Sequence, residues 1–457
     1  MFDTHKKNKA LFMTETIFAP LAPIAKSAVS IVRLSGPNSL FILREITKRQ
    51  NFLPRRAYLQ KLFEPQTNDV FDQALVIYFN GPNSFTGEDV VELYLHGSPA
   101  IIRLCLKILG AFPETRMADP GEFSKRAFDN GKMDLTEAEG LADLIASETS
   151  LQAKQALKQM NGHLKNLYEN WRSDLVNIMA EVEAYIDFPD EDLPLDLQLK
   201  FRTKIDNLIT KIKYHLNDKH KGEILRNGIK VGIIGEPNVG KSTLLNYLCQ
   251  RSAAIVSDLP GTTRDIIEIT IDIEGYPFII ADTAGIRESD NLVEQEGIKR
   301  ALAYKNEADI TLAVFESKDL SEENIIKANL DLEKTLIIAN KYDLPSKGPK
   351  TQDLIQKYNI IPISALSGHG VAKIIENLVK KAENLVEVGN DPIITNDRQR
   401  QLLEQSLSQL LQFSLTDPIE ITSENLRMAA NFLGKITGRI SVEDILDRLF
   451  SNFCIGK

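Results

Sequence analysis

The 457-residue sequence contains little cysteine and no apolar run long enough to span a membrane. Its cysteines, Cys105, Cys249 and Cys454, are scattered and odd in number. This pattern argues against a disulfide framework or a zinc site and fits a reducing cytoplasm. The first ten residues are polar and lack the apolar core of a signal peptide. We therefore expect a cytoplasmic protein without stable membrane insertion.

Excess positive charge is also missing from the sequence. Lysine and arginine number 54 and aspartate and glutamate 63, which gives a formal net charge of −9. A protein that coats nucleic acid by charge alone would be basic. Any contact with RNA must therefore be a local patch or be shared with a partner protein.

The rest of the composition is ordinary for a globular protein, with 43% hydrophobic and 26% charged residues. At this length we expect two or three domains rather than one core. The texture of the sequence predicts five segments: an extension (1–12), a mixed α and β region (13–131), a helical region (132–224), an alternating α/β segment (225–380) and a second helical region (381–457). The α/β segment interrupts the helical sequence, so we predict that the two helical parts pack together as one domain.

Local signals add detail to the first three segments. Strand-like runs cover residues 27–34, 74–79 and 90–95. Thr136 and Glu139 match a capping box at the start of a helical stretch that continues to about residue 187, with Gly162 as a candidate break. A further helix is predicted from about residue 197 to 216, with Asp196 as a candidate N-cap.

The most informative motif is Gly-Glu-Pro-Asn-Val-Gly-Lys-Ser at residues 235–242. It follows an apolar run at 229–234 that predicts a buried strand, and it precedes a helical pattern. This is the context that a phosphate-binding loop requires. The glycines let backbone N–H groups turn towards the phosphates, Lys241 reaches the β- and γ-phosphates, and the Ser242 hydroxyl can ligate Mg²⁺.

Three further elements, in the order of a GTPase, make the prediction specific for guanine. Asp282 and Gly285, in Asp-Thr-Ala-Gly, follow a second apolar strand and suit a water-mediated Mg²⁺ contact and the γ-phosphate. Asp343, in Asn-Lys-Tyr-Asp, can accept both N–H protons on the edge of guanine, which adenine cannot supply. Ser364-Ala365-Leu366 follows the apolar residues 361–363 and would place a backbone N–H near the guanine oxygen.

The segment Ser-Asp-Leu-Pro-Gly-Thr-Thr-Arg-Asp at 257–265 is predicted to be the first switch. Thr263 is the expected second hydroxyl ligand of Mg²⁺, ordered only when γ-phosphate is present. The side-chain carbonyl of Asn238, with Thr262 and the backbone at Ser257 and Leu259, suits a monovalent cation. The residues expected to bind GTP are Asn238, Val239, Gly240, Lys241, Ser242, Thr243, Ser257, Asp258, Leu259, Pro260, Gly261, Thr262, Thr263, Asp282, Thr283, Ala284, Gly285, Asn340, Lys341, Asp343, Ser364, Ala365 and Leu366.

One part of a Ras-like GTPase is missing, namely the glutamine after Asp-x-x-Gly that orients the attacking water. Ile286 occupies that position and cannot hydrogen-bond water. Two substitutes stay open: a carboxylate further along the chain, or a second cation that supplies positive charge. Arg264 is a candidate arginine finger, although pairing with Asp258 or Asp265 explains it equally well. The candidate carboxylates are Glu288, Asp290, Glu294 and Glu296.

Motifs outside the α/β segment resemble one family closely. They are Ser-Phe-Thr-Gly-Glu-Asp-Val-Val-Glu-Leu at 84–93 with His96-Gly97, the run from Pro-Gly-Glu-Phe to Asn-Gly-Lys at 120–132, and Phe-Cys-Ile-Gly-Lys at 453–457. Together with Gly-x-Pro-Asn-x-Gly-Lys-Ser and Pro-Gly-Thr-Thr-Arg-Asp, they make nearly the whole chain from Met13 resemble the MnmE (TrmE) family of tRNA modification GTPases.

The resemblance implies an α+β multidomain fold. It would consist of an N-terminal tetrahydrofolate-binding-like α/β domain that forms a homodimer, a helical domain, and an inserted Ras-like α/β P-loop G domain. It also implies 5-formyltetrahydrofolate as a one-carbon donor, bound by residues that match Arg33, Glu92 and Lys132, with Lys457 of the C-terminal tail. Cations would meet the glutamyl carboxylates, and a carboxylate would meet the pterin N–H donors. The residues alone would suggest only surface ion pairs at these positions.

The resemblance further implies K⁺-dependent dimerisation of the G domains. Asn238, Ser257, Leu259 and Thr262 match the K⁺ ligands, and Glu294 matches the acid that polarises the attacking water through a second water. The implied partner is the FAD-dependent protein MnmG, in a heterotetramer. Together they would install a carboxymethylaminomethyl-type group at position 5 of the wobble uridine of certain tRNAs. A nucleophilic role for Cys454 rests only on a lone cysteine near the tail.

Two departures from the family pattern and two other interpretations stay open. Residues 24–30 replace a Gly-Arg-Gly-rich stretch, and Glu316-Ser317 ends a strand where Asp is usual. The chain could instead be a regulatory GTP switch in ribosome assembly, or a folate-binding module whose G domain is only a dimerisation clamp. The folate motifs favour the enzyme over the switch. The intact set Lys241, Ser242, Thr263 and Asp282 favours an active GTPase over the clamp.

Overall fold

The computed structural model describes residues 15–186, 195–251, 253–255, 268–281, 307–344, 351–386, 389, 391–414, 419–440, 449–450, 453 and 456. Its contacts divide the chain into two compact units, Met1–Ala142 with Gly434–Lys457, and Asp143–Leu433. The segment boundaries predicted from the sequence remain a prediction. In the described part of the chain, no helix is long and apolar enough to cross a membrane.

The strands form two sheets, one in each unit. In chain order they are β1 Thr16–Pro20, β2 Val29–Ser35, β3 Ala57–Phe63, β4 Val70–Phe79, β5 Val90–His96, β6 Thr115–Met117, β7 Ile229–Ile234, β8 Ala253–Ile255, β9 Glu268–Ile273, β10 Tyr276–Ala281, β11 Ile310–Glu316, β12 Thr335–Asn340 and β13 Ile361–Pro362.

The described helices are numbered in the same way. They are α1 Ser39–Thr47, α2 Pro99–Leu109, α3 Glu122–Asp129, α4 Leu135–Ala146, α5 Ser150–Met160, α6 His163–Ile186, α7 Leu195–Leu216, α8 Lys221–Asn227, α9 Lys241–Arg251, α10 Glu322–Lys327, α11 Thr351–Lys357, α12 Val371–Leu385, α13 Asp397–Leu411 and α14 Ile419–Ile436.

The first unit is built on the sheet β3-β4-β5-β2-β1-β6, in which only the β1–β6 pair is parallel. Side chains alternate along each strand, so one face of the sheet enters the core and the other does not. On the core face, Val32, Val76 and Leu93 pack with Ile42 of α1 and Ile108 of α2. On the other face apolar side chains stay exposed in this single chain; they include Val29, Leu59 and Leu75.

The second unit is built on the sheet β13-β12-β11-β7-β10-β9-β8. The strands β13, β12, β11, β7 and β10 are parallel to one another, and β9 and β8 are antiparallel additions at the edge. Parallel strands that are covered on both faces consist of continuous apolar runs, so β7 and β12 could be predicted from the sequence. The predicted strand at 229–234 is confirmed with the same bounds. The mixed α/β fold class is confirmed with it.

The helical segments differ from prediction at their starts. The helix α4 begins at Leu135, and Asp134 rather than Thr136 makes its capping box: the Glu137 N–H donates to Asp134 Oδ1 at 2.8 Å, and the Asp134 N–H donates to Glu137 Oε2 at 2.7 Å. The Thr136 prediction is wrong because Thr136 lies inside the helix, where its hydroxyl donates to Asp134 Oδ1 at 2.9 Å. The Asp196 prediction is also wrong, since α7 already includes Leu195.

Two breaks divide the long helical stretch. Gly162, with φ +82°, separates α5 from α6, as predicted. A second break was not predicted; there Thr149 caps α5 through a capping box with Gln152.

Arg400 joins the two chain segments that lead into and out of the α/β segment with the second sheet. Its guanidinium, on α13 after that segment, donates to both oxygens of Glu223 and to Asp218 Oδ1 at 2.7–3.1 Å, and to the Leu216 carbonyl at 3.0 Å. Arg400, Glu223 and Asp218 are nearly buried. A Cβ on Gly222 would lie 2.2 Å from the carbonyl oxygen of Ile394, so only glycine permits this approach of the two connections.

Candidate functional site

The phosphate-binding loop lies between β7 and α9 and is shaped by two close approaches of its backbone. A Cβ on Gly235 (φ +151°) would lie 2.3 Å from the Val314 carbonyl oxygen, and one on Gly240 (φ +98°) would lie 2.2 Å from Asn340 Nδ2. Both positions therefore require glycine. Asn238 takes a left-handed conformation (φ +62°) and is exposed, so its amide group is accessible to a ligand.

Lys241 and Ser242 begin the helix that follows this loop. The Lys241 ammonium donates to the carbonyl oxygens of Gly235 and Glu236, each at 2.8 Å, and so lies over the loop. Ser242 and Thr243 are exposed in the first turn of α9. A lysine over the loop and exposed hydroxyls at a helix N-terminus form a cradle that suits the phosphates of a nucleotide, with Ser242 suited to hold Mg²⁺.

Asn340 joins three of the predicted motifs. Its Nδ2 donates to the Val239 carbonyl at 2.7 Å, and its Oδ1 accepts from the Ala365 N–H at 2.9 Å. The side chain is buried with 2% exposure, so both bonds are shielded from water. This one amide group fixes the phosphate-binding loop and the residues 364–366 to the end of β12.

The neighbouring end of β11 supports the loop that follows β12 and carries Asp343. Lys341 (φ +59°) pairs with Glu316 Oε2 at 2.9 Å, and Ser317 Oγ donates to the Lys341 carbonyl at 3.0 Å. The ammonium groups of Lys318 and Lys341 hold the pKa of Glu316 below its usual range. From the sequence, Glu316-Ser317 was only a departure from a family pattern; in the structure both residues hold Lys341, in the loop that follows β12 and carries Asp343.

Two of the residues predicted to contact the base remain exposed near this support. The Tyr342 N–H donates to the Ile363 carbonyl at 2.9 Å, which brings the loop that carries Asp343 against the strand that leads to Ser364. Asp343 is exposed, and the Leu366 side chain is 87% exposed. An accessible carboxylate and an exposed apolar side chain suit the edge and the face of a purine.

The other predicted nucleotide residues lie outside the described part of the chain. They are Ser257, Asp258, Leu259, Pro260, Gly261, Thr262, Thr263, Asp282, Thr283, Ala284, Gly285 and Glu294. The same holds for Lys457, Cys454, Arg264, Ile286, Glu288, Asp290 and Glu296.

In the first unit, the structure brings Arg33 and Glu92 together. They lie opposite each other on β2 and β5, and Arg33 donates to Glu92 Oε1 from Nη2 at 2.8 Å and from Nε at 3.1 Å. The guanidinium lies 5.0 Å from the centre of the Phe85 ring and 5.6 Å from that of Phe123. Tyr94 donates its hydroxyl to Glu92 Oε2 at 2.9 Å; burial and then this hydrogen bond raise the pKa of Tyr94.

The loop that carries Phe85 is held by a buried polar network. Ser35 Oγ donates to Glu88 Oε2 at 2.6 Å and lies 2.7 Å from Thr86 Oγ1. Arg126 bridges Glu88 and Glu122. Burial by itself would raise the pKa of Glu122, but hydrogen bonds from Arg116 and the Asp119 N–H and the charge of Arg126 bring it below its usual value.

Lys132 lies beside the same loop. A Cβ on Gly87 (φ +81°) would lie 3.1 Å from Lys132 Cε, and Asn130 Nδ2 donates to the Thr86 carbonyl at 2.7 Å. Lys132 itself is exposed. The sequence predicted neither Tyr94 nor Phe85 as a site residue. Tyr94 could have been found by strand alternation, because it lies on the same face of β5 as Glu92, whereas Phe85 lies in the loop before β5.

Comparison with known proteins identifies the family. A family model described as the MnmE helical domain matches residues 135–454, and one described as the GTP-binding protein TrmE N-terminus matches residues 16–132. The tRNA modification GTPase MnmE of Rickettsia prowazekii (strain Madrid E) is 47% identical over 446 residues, which cover 97% of this chain and 100% of the relative. The Rickettsia typhi protein of the same name is 47% identical over 448 residues, with the same shares covered.

Among solved structures, the G domain of the T. maritima FeoB iron transporter covers 34% of this chain and 98% of its own, at 25% identity and a TM-score of 0.26, an overlap too weak to bear on the fold. The similarity to the MnmE proteins runs along nearly the whole chain, and the two family models together match residues 16–132 and 135–454. The chain therefore belongs to the MnmE family of tRNA modification GTPases.

Proposed function

We propose that this protein hydrolyses GTP to drive the addition of a carboxymethylaminomethyl-type group to position 5 of the wobble uridine of certain tRNAs. It would act in the cytoplasm, with an FAD-dependent partner of the MnmG type, and would take its one-carbon unit from 5-formyltetrahydrofolate. The observation that carries this proposal is that one chain contains both the phosphate-binding loop, which Asn340 fixes to residues 364–366, and the Arg33–Glu92 site.

The Arg33–Glu92 site has the groups that a folate needs. The Glu92 carboxylate is oriented by Arg33 on one oxygen and Tyr94 on the other, so its remaining lone pairs have a fixed direction for pterin N–H donors. The half-buried Phe85 ring supplies apolar surface for a pterin ring, and the fully buried Phe123 supports the Arg33 guanidinium from the core. Lys132 is an exposed cation that suits the glutamyl carboxylates, as does Lys457 of the C-terminal tail by family resemblance.

A homodimer through the first unit is part of the proposal. The sheet face that does not enter the core exposes 56% of Val29, 59% of Leu59 and 46% of Leu75. Neighbouring exposed apolar residues of this kind mark interaction surfaces. The occupant we propose is the same face of a second copy, which would cover both faces at once.

For the chemical step, we propose that Glu294 polarises the attacking water and that Mg²⁺ is held by Ser242 and Thr263. K⁺ would lie between Asn238, Ser257, Leu259 and Thr262 and would promote pairing of the G domains. The accessible, left-handed Asn238 supports this assignment.

The decisive experiment measures tRNA nucleosides by mass spectrometry in a strain that lacks this gene and carries either the wild-type chain or Glu92→Gln. We expect the wild type to restore the modified uridine. Glu92→Gln should weaken 5-formyltetrahydrofolate binding about tenfold or more, because a charged acceptor is lost. GTP hydrolysis should stay normal. An unmodified tRNA pool with the wild type, or undiminished folate binding by the variant, would contradict the proposal.

A further inference from the structure

The described surface of this acidic protein carries a concentrated group of cations in the first unit, which we name the 44–56 cationic cluster. It comprises Arg44, Lys48, Arg49, Arg55 and Arg56. Between residues 41 and 63 the only acidic residue is Glu45. All members except the half-buried Arg44 are exposed. The cluster lies on the turn that connects α1 to β3, on one side of the first unit.

The cations of this cluster are not neutralised by carboxylates. Elsewhere in the chain, Arg33, Arg116, Arg126 and Arg400 each lie in ion pairs with Glu or Asp. Within the described residues, none of the five members of the cluster has a carboxylate oxygen within 4.0 Å. In a chain with net charge −9, a group of cations without counter-charges is not needed for solubility, since the acidic surface already provides it.

Aromatic rings and backbone carbonyls hold these side chains in place. The Arg49 guanidinium lies 4.3 Å from the centre of the Tyr58 ring, and that of Arg56 lies 6.0 Å from the same ring. Lys48 lies 4.4 Å from the centre of the Phe63 ring. Arg49 Nε donates to the Asn51 carbonyl at 2.8 Å, which leaves the outer N–H groups of the guanidinium for another acceptor.

The backbone of the turn is fixed as well. Lys48 and Arg55 both take left-handed conformations, with φ +57° and φ +60°. The Leu53 N–H donates to the Tyr58 hydroxyl at 3.0 Å, and the Arg55 N–H donates to the Tyr78 carbonyl at 2.7 Å. Cations that are already ordered lose less side-chain entropy when they bind an anion. The usual alternative, a solvated charged face, does not require this anchoring.

The cluster is joined to the Arg33–Glu92 site by one loop. Arg55 Nη2 donates to the Asn83 carbonyl at 2.8 Å, and Phe85, which contacts Arg33, is two residues further along the same loop. An anionic polymer that lies on the cluster would therefore pass beside the proposed one-carbon site.

We infer that the 44–56 cationic cluster binds the sugar–phosphate backbone of the tRNA substrate. This inference rests on the proposed function, because that function supplies the polyanion that the protein must hold. Exposed, pre-ordered arginines without counter-charges match phosphates in charge and in hydrogen-bonding geometry. Contacts of this kind position the RNA and do not read its sequence.

The test compares tRNA binding by the full-length wild type and by the triple variant Lys48→Gln/Arg49→Gln/Arg56→Gln, by fluorescence anisotropy over a range of KCl concentrations. Loss of three phosphate contacts should lower the slope of log K against log salt by about 2 to 3 and weaken binding about a hundredfold near 0.15 M salt. The loss should be the same for a tRNA with a different wobble base. Arg49→Lys alone should weaken binding only a few-fold, since it keeps the charge and loses the stacked fork.

The matched control is Lys211→Gln/Lys213→Gln, which removes exposed cations from α7 in the other unit. It should bind tRNA like the wild type. Equal binding and an equal salt slope in the triple variant would overturn the inference, as would an equal loss in the control. So would normal tRNA binding together with lost association with the partner protein or lost folate binding, because the cluster would then serve a protein or the folate glutamyl group.

GTP hydrolysis and thermal melting of the triple variant should match the wild type, which shows that the chain is folded. The modified nucleoside in cells separates the two proposals. If the wild type restores the modification while the triple variant binds tRNA normally, the cluster assignment fails alone. If the wild type neither binds tRNA nor restores the modification, both proposals fail.

Discussion

At the scale of single residues, one polar side chain in each site forms hydrogen bonds with two different residues and so holds them in position. Asn340 bonds to Val239 and Ala365, and Glu92 bonds to Arg33 and Tyr94. Asn340 could be predicted because it opens the Asn-Lys-Tyr-Asp motif, although its partners appear only in the structure. The Arg33–Glu92 pair could not be derived from spacing, because 59 residues separate the two and only the register of β2 on β5 places them opposite each other.

The side chain of Asn340 gives the first prediction at this scale. Asn340→Ala should weaken binding of both GTP and GDP by about 2 kcal/mol, or about thirtyfold, because two buried hydrogen bonds are lost and the Ala365 N–H is left without its acceptor. Isothermal titration with each nucleotide measures this. The matched control is Ser367→Ala, which removes a hydroxyl that accepts the His369 N–H at 3.4 Å, and it should bind normally. Unchanged affinity in Asn340→Ala would show that the loops hold their positions without the amide.

At the scale of secondary-structure elements, contacts between α6 and α7 create a pH-sensitive joint. Burial lowers the pKa of His215 on α7 to about 4, and the nearby charge of Arg400 also lowers it, while Asp218 acts in the opposite direction. His215 Nε2 lies 3.1 Å from the Tyr168 hydroxyl on α6, and its ring is 5.5 Å from that of Trp171. The folded state therefore favours the neutral imidazole, packed between two aromatic rings.

The sign of the pH effect follows from this shift. The unfolded state binds the His215 proton below pH 6.5 and the folded state only near pH 4, so stability is complete above pH 6.5 and falls towards pH 4. The loss should reach about 3 kcal/mol in the free energy of unfolding of this joint. Fluorescence of Trp171, the single tryptophan of the chain, can follow it during urea unfolding. His215→Gln should remove this part of the pH dependence; an identical pH profile in the variant would assign it to other groups.

The same scale shows why some elements were predictable. Strands β7 and β12 are covered on both faces and read as unbroken apolar runs, and Gly162 ends a helix through a backbone conformation that only glycine adopts easily. The strands β1, β3 and β6 were not predicted. Of these, β3 is an edge strand with an alternating and mostly exposed pattern, and β6 has three residues, so pairing with neighbours rather than local sequence defines them.

At the scale of the whole molecule, the missing glutamine at position 286 leads us to expect that GTP hydrolysis needs a cation from solution. Ile286 cannot orient water, so we predict that hydrolysis depends on K⁺ held at a pair of G domains. Turnover should be at least about tenfold faster in KCl than in NaCl at equal ionic strength, within the range that added positive charge supplies to phosphoryl transfer. Nucleotide affinity should be the same in both salts. Equal turnover in KCl and NaCl would contradict this prediction and favour Arg264 as the source of the positive charge.

The contacts of Arg400 determine how the G domain is attached to the rest of the chain. The segments before and after the G domain approach each other closely at Gly222 and Ile394. The G domain is therefore attached to the helices at one place rather than at two distant ones. An inserted domain whose ends are already adjacent adds almost no loop-closure cost to the fold that hosts it. A G domain of different size or conformation, or a related domain in its place, would therefore not require the flanking helical segments to move apart. We therefore expect any motion of the G domain to be transmitted to the helices through this point, where Arg400 holds the two connections together.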